Sequence, residues 1–259
     1  MSPSSDLVAG LRSAGCVFAE DEARLLTEAA ADGHDLDDLV MRRIGGEPLE
    51  HLLGWVEFCG LRLAVEPGVF VPRSRTALLV AEALDALPAT PGPLVVDLCC
   101  GCGAIGAALL AARPDLDLHA AELDPAAVRC AKRNLPPERV HGGDLYAALP
   151  QALRGRVSVL TANAPYVPTD AVADMPPEAR DHEPRTALDG GGDGLDVLRR
   201  VIAGAQEWMA PGGTLLVESS TRQAPVLASA MTTAGLAPRI SHDDETGGTV
   251  VRGVSRRRS

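Results

Sequence analysis

Leu94-Val95-Val96-Asp97-Leu98-Cys99-Cys100-Gly101-Cys102-Gly103-Ala104 decides the fold. Residues 94–98 are a short apolar run of buried-strand type, interrupted by one carboxylate. The residues after it are small or glycine, which suits a tight turn whose backbone can approach a ligand closely. An alanine-rich helix then begins near Ala104. Strand, glycine-containing turn and helix in direct succession are the opening unit of a parallel sheet with helical crossovers.

The same alternation continues downstream. Residues 116–123 read as the next strand, 125–135 as a helix and 157–160 as a further strand. A helix over 195–209, a strand over 214–217, a helix over 223–234 and two terminal strands complete the chain. Strands that alternate with helices predict a mostly parallel sheet covered on both faces.

Upstream the rhythm is helical. Asp21 and Glu22 open a run in which Ala23, Leu25, Leu26 and Ala29 recur at helix spacing before Gly33. Asp35 can cap a second helix carrying Leu36, Leu39, Val40 and Ile44 ahead of Gly45-Gly46. This predicts a small helical domain over 1–53. From 54 to 75, Val56, Phe58, Leu61, Leu63 and Val65 lie among Cys59-Gly60 and Pro67-Gly68, the pattern of a hairpin-like connector. The main domain then spans 76–259, opening on a helix.

Composition narrows the class of function. The chain has 259 residues, 46% hydrophobic and 23% charged, so it folds; with 3% aromatics its core is Leu, Val, Ala and Ile. A net charge of −11 opposes a sequence-independent grip on nucleic acid. Arg256-Arg257-Arg258 reads as a solvated tail. No run approaches the roughly 20 apolar residues that span a bilayer, and Met1 to Asp6 lack the regions of a signal peptide. Of six cysteines, three crowd together at Cys99, Cys100 and Cys102, which suits a reduced cytoplasm better than a disulfide framework.

Three strand ends carry complementary groups. The glycine loop follows the first strand. Glu122 ends the second, about 20 residues on, where a carboxylate can accept from ribose hydroxyls. Gly143-Asp144-Leu145 ends the third crossover, where a carboxylate can accept from an adenine amino group. Together they describe an adenosine site. Glycines serving turns and acids capping helices would explain each alone, and Gly101, Gly103 and Gly106 also meet the Gly-x-Gly-x-x-Gly formula of nicotinamide sites.

The fourth strand runs into Asn163-Ala164-Pro165-Tyr166, and here the motifs combine. Residues 97–103 resemble motif I of class I methyltransferases, Asp-Leu-Gly-x-Gly-x-Gly, with Cys99 at the first glycine. The tetrapeptide resembles the Asn-Pro-Pro-Tyr signature of methyltransferases acting on planar, conjugated nitrogens, with Ala164 at the first proline. Glu47 to Gly54, Glu57-Phe58, Gly60-Leu61, Val71-Pro72-Arg73 with Thr76, and Arg180-Asp181-His182-Glu183-Pro184-Arg185 with the Ala187 to Leu195 segment resemble the protein-(glutamine-N5) methyltransferases that modify peptide-chain release factors. The resemblance covers nearly the whole chain and is weakest in the first helices and last strands.

That resemblance implies a Rossmann-like α/β fold with a mostly parallel seven-stranded sheet behind an N-terminal helical domain. It implies S-adenosylmethionine as cofactor, S-adenosylhomocysteine as product, and a protein substrate such as a release factor. Cofactor contacts fall on Asp97, Cys99, Cys100, Gly101, Cys102, Gly103, Glu122, Leu123, Asp144, Leu145 and Asn163. By the same resemblance the catalytic residues are expected at Asn163, Pro165 and Tyr166. The resemblance places substrate contacts at Asn163, Ala164, Pro165, Tyr166, Glu183 and Arg185.

The chemistry suits the signature. An amide nitrogen delocalises its lone pair and is a poor nucleophile, so both its N–H bonds must be held while it is aimed at the methyl group. The Asn163 side-chain carbonyl and the next backbone carbonyl can each accept one N–H. Three cysteines on one loop do not supply a tetrahedral metal site, His119 and His141 read as strand residues, and 189–193 lacks the calcium-loop pattern, so no metal is expected. Ser74-Arg75 stands where the family has Pro-Glu, and Glu218-Ser219-Ser220 where it has Glu-Ile-Gly. With these departures, a guanidine, a small-molecule amide, adenine N6, or cofactor binding without catalysis stay open.

Overall fold

The computed structural model describes residues 4–255; the Arg256-Arg257-Arg258 tail lies outside them. Four helices come first: α1 (Ser5–Ser13), α2 (Ala19–Ala31), α3 (Leu36–Ile44) and α4 (Leu49–Leu53). Asp35 caps α3 through the Asp37 and Asp38 amides, as its position predicts. The α1 helix is absent from the sequence reading; Ser4 caps it at the Leu7 amide, and only Leu11 along it is buried, so its apolar stripe is faint. Leu11, Ala19, Ala23, Leu26, Leu39 and Leu52 give these helices a core of their own.

A hairpin follows, β1 (Trp55–Phe58) against β2 (Leu61–Ala64). Cys59 and Gly60 both have positive φ, 50° and 74°, the twist that a two-residue hairpin turn requires. Val56, Phe58, Leu63 and Val65 turn away from the helical unit and join the core of the main domain.

The main domain runs α5 (Ala77–Ala86), β3 (Leu94–Leu98), α6 (Ala104–Ala112), β4 (Asp117–Glu122), α7 (Pro125–Asn134), β5 (Val140–Gly142) and β6 (Val157–Ala162). The short helices α8 (Pro177–His182) and α9 (Arg185–Leu188) precede α10 (Asp196–Trp208), β7 (Met209–Glu218), α11 (Ala224–Thr233), β8 (Leu236–Asp243) and β9 (Gly248–Ser255). The seven strands lie in the order β5-β4-β3-β6-β7-β9-β8. Five are parallel, and β9 enters antiparallel between β7 and β8. Helices α5, α6 and α7 cover one face and α10 and α11 the other, so every residue of β3 is buried.

Strand β7 starts five residues before the predicted 214, because Met209 pairs with Val157 before the register shifts. Connections leave β3 towards β4 on one side, while β6 lies on its other side. Such a reversal of direction opens a crevice above the carboxyl ends of the two strands. Among the described residues no helix is long and apolar enough to cross a membrane.

Candidate active site

A cleft of about 330 Å³ occupies that crevice. Four strand ends supply its floor: Cys99 and Gly101 after β3, Glu122 to Pro125 after β4, Gly143 to Leu145 after β5, and Asn163 to Val167 after β6.

The loop after β3 is held from below. Asp97 is fully buried and accepts the Thr161 hydroxyl at 2.8 Å, and the backbone amide of Gly106 in the first turn of α6 lies close enough to favour its charged form. That amide has no partner within the helix, and a carboxylate there also suits the positive end of the helix dipole. Burial, opposed by these two donors, pushes the Asp97 carboxyl up to about 7. Asp97 therefore secures the loop and does not line the cleft.

Cys99 and Gly101 adopt φ of 53° and 56°. A Cβ on Gly101 would project into open space with nothing within 4 Å, so a ligand can lie directly against that backbone. Cys99 occupies the same left-handed region at a strain of roughly 1–2 kcal/mol. Cys100 and Cys102 are buried, and Gly103 faces the core, where a Cβ would come within 2.8 Å of Leu135. Burial pushes the Cys99, Cys100 and Cys102 thiols up, leaving protonated sulfurs that are weak ligands for a metal. His119 and His141 stack on each other with ring nitrogens 2.9 Å apart, away from this loop's lining.

Glu122 ties the second strand end to the first. Its Oε2 accepts the Gly101 amide at 2.8 Å, and its Oε1 accepts the Leu123 and Asp124 amides at 2.7 and 2.9 Å. Asp124 caps α7 through the Ala126 and Ala127 amides. At the third strand end Leu145 has φ of 47°, and the Asp144 carboxylate pairs with Arg200 of α10 at 2.5 Å. The cleft's floor thus offers a backbone cradle, one carboxylate fixed by three amides and a second held by a guanidinium. These residues fit the ribose, base and sulfonium-bearing chain of S-adenosylmethionine.

The signature residues form the wall beyond it. Asn163 donates from Nδ2 to the Thr76 hydroxyl at 3.3 Å, which leaves its carbonyl oxygen towards the cleft. The Tyr166 hydroxyl sits between Arg75 and Glu218. The segment after the signature folds back on it: the Val167 amide donates to Leu188 and the Gly190 amide to Val167. A Cβ on Gly190 would come within 2.6 Å of the Pro165 carbonyl, so glycine is required there. Asp189 accepts Thr169 and the Gly191 amide, which explains its place in the Asp-Gly-rich run without an ion.

Glu183 and Arg185 are placed differently from the expectation. The Glu183 side chain is drawn inward, where it accepts the Val71 amide at 3.1 Å and Arg73 at 2.7 Å. Arg185 points outward and pairs with Asp189. Their neighbours Pro184, Thr186, Ala187 and Leu188 line the cleft instead. Phe70, Met175, Val197 and Arg200 also line it, and nothing in their sequence setting marks them. Arg75 and Glu218 stand out in the sequence only as departures, but they meet here across 143 positions.

Comparison with known proteins agrees with this geometry. The Methyltransferase small domain family matches residues 60–179. A "Release factor glutamine methyltransferase" of Streptomyces coelicolor is 42% identical over 190 residues, 72% of this chain and 67% of that protein. Its counterpart in Geobacter sulfurreducens is 38% identical over 216 residues, 81% of this chain and 73% of that protein. A solved methyltransferase from Pyrococcus furiosus superposes with a TM-score of 0.56 at 15% identity, covering 76% of this chain and 90% of that one, a likeness of fold alone.

Proposed function

This chain belongs to the release factor glutamine methyltransferase family, and from that membership we propose that it methylates the side-chain amide nitrogen of a glutamine in a peptide-chain release factor. The observation that carries the reading is the placement of Asn163-Ala164-Pro165-Tyr166 at the end of β6, in the same cleft as the Gly101 cradle and Glu122. S-adenosylmethionine is the cofactor and supplies an electrophilic methyl group on a good leaving group.

The chain's own residues then have to orient and desolvate. The Asn163 Oδ1 and the Ala164 carbonyl each accept one N–H of the target amide, which fixes its plane and aims its nitrogen. Pro165 stiffens the turn. Tyr166, half-buried and anchored through its hydroxyl, bounds the slot. With the cofactor bound, the nitrogen–carbon bond would form as the methyl–sulfur bond breaks with its electron pair on sulfur, and the nitrogen would shed one N–H proton to solvent on product release. Little proton transfer by side chains is needed, so rate comes mainly from positioning and exclusion of water.

The helical unit over 1–53 serves to recognise the protein substrate. Its position supports this: Arg43 of α3 donates to Glu178 of α8, at 2.6 Å, a few residues before the cleft wall at 184–188. All six cysteines are free, which suits a cytoplasmic setting beside translation factors.

The test is transfer of labelled methyl from S-adenosylmethionine to a release factor with its Gly-Gly-Gln loop intact. Label is expected on the loop glutamine, absent from the Gln→Ala factor, and lost with Asn163→Ala enzyme that still binds the cofactor. Label that survives Gln→Ala, or that appears only on nucleic acid or a small molecule, would overturn the glutamine assignment.

A further inference from the structure

We infer that Thr76 and Glu218 are positioning residues: one buried carboxylate orders two hydroxyls, and these fix which end of the Asn163 amide faces the cleft and where the Tyr166 ring stands. The inference rests on the proposed role of Asn163 as acceptor of the target N–H.

Glu218 is the last residue of β7, and its side chain is 2% exposed. Its Oε1 accepts the Tyr166 hydroxyl at 3.2 Å and shares the Arg75 Nε–H, which lies 3.1 Å from the Tyr166 oxygen and 3.4 Å from the carboxylate. Its Oε2 is buried without a hydrogen-bond partner; burial pushes the carboxyl up, while the adjacent Thr76 hydroxyl, with Arg75 and Tyr166, favours the charged form. A buried carboxylate oxygen takes any proton within reach, since leaving it bare is costly. The Thr76 proton is therefore committed to Glu218.

Direction follows from that commitment. With its proton engaged, the Thr76 oxygen can only accept, and the Asn163 group 3.3 Å away must present an N–H to it. Asn163 Nδ2 is thereby turned from the cleft and Oδ1 towards it. Flipping the amide would set two acceptors face to face or withdraw the Thr76 proton from Glu218. Tyr166 obeys the same logic, donating to Glu218 and accepting from Arg75. The two signature side chains are thus polarised by one group that comes from another strand end and never meets the substrate.

The chain contains only two asparagines, Asn134 and Asn163. Asn134 donates to the Ala64 and Cys102 carbonyls at 2.8 Å and serves as an internal control. Full-length protein labelled with 15N-asparagine would be compared as wild type, Thr76→Val, Thr76→Ser and Glu218→Gln, by side-chain amide NMR, cofactor calorimetry and release-factor methylation. Thr76→Val is expected to lower kcat about 100-fold with KM and thermal midpoint little changed. It should strip exchange protection from the Asn163 amide alone. Thr76→Ser should recover most of both, and Glu218→Gln should reproduce the loss if Thr76→Val does not fold. Wild-type kcat in Thr76→Val, or Asn163 resonances indifferent to Thr76 and Glu218, would overturn the inference. A wild-type enzyme that labels no release factor would instead sink the proposed substrate, while the resonances would still decide the positioning claim.

Discussion

Glu122 Oε2 receives the Gly101 amide at 2.8 Å, so the carboxylate that closes β4 also holds the loop that closes β3. The other oxygen takes two more amides from its own strand end. One side chain thereby shapes the cradle and stands at its rim, with about one of its four lone pairs left over for a ribose hydroxyl.

Glu122→Ala should therefore damage both shape and recognition. Three amides lose their acceptor, at a cost of about 1–3 kcal/mol if any stays unsatisfied. Calorimetry should show cofactor affinity falling at least tenfold, and urea denaturation a lower midpoint. Glu122→Gln should keep part of the stability and less of the affinity. An Ala variant that binds cofactor as tightly as wild type would remove Glu122 from the site.

Asp97 makes stability depend on pH in an unusual direction. Burial raises its folded carboxyl from 3.8 to about 7, so the native state keeps a proton that the unfolded chain releases. The stabilising contribution is full below pH 3.8 and is lost as pH rises through about 7, with a total on the order of 4 kcal/mol. Asp97→Asn removes this titration. Its stability between pH 4 and 7 should change less steeply than that of wild type, and an identical profile would refute the assignment.

Arg43 joins the helical unit to the cleft wall. It is buried, donates to Glu22 at 2.6 Å and to Glu178 at 2.6 Å, and reaches the Glu47 carbonyl at 3.1 Å. Arg43→Ala leaves the buried Glu22 without a counter-charge, which costs about 3–5 kcal/mol. Chemical denaturation should show that loss, and the Arg43→Ala, Glu22→Ala double variant should be less impaired than the two single losses added together. Additive losses would mean that the pair is not coupled.

Ala164 stands where a proline would stiffen the signature. Its amide donates to no acceptor among the described residues, so a proline ring there removes no hydrogen bond. Ala164→Pro should raise stability by about 0.4–1 kcal/mol through the unfolded state and retain methyl transfer. Loss of folding or of transfer would show that the backbone at 164 has left the proline-compatible region.

The order of strands and helices, the loop at 97–103, the hairpin turn at Cys59-Gly60 and the signature at 163–166 are legible in the sequence. Each is written in neighbours: alternation, helix spacing, or small residues at a turn. Helix α1 escaped because a short helix burying one leucine leaves almost no periodic trace. The motif residues were legible as a set, but not by role. Asp97, Cys100, Cys102 and Gly103 turn towards the core, while Cys99 and Gly101 turn to the cleft.

That division of labour, the insertion of β9 between β7 and β8, and the partners of Arg75, Arg73 and Asp144 were decided only by the tertiary structure. The sequence alone determined a parallel α/β sheet carrying a glycine cradle and a planar-nitrogen signature, because those are properties of consecutive residues. Which charge meets which across 91 or 143 positions depends on strand order and on the burial that makes an unpaired carboxylate costly, and neither exists until the sheet has closed over its core.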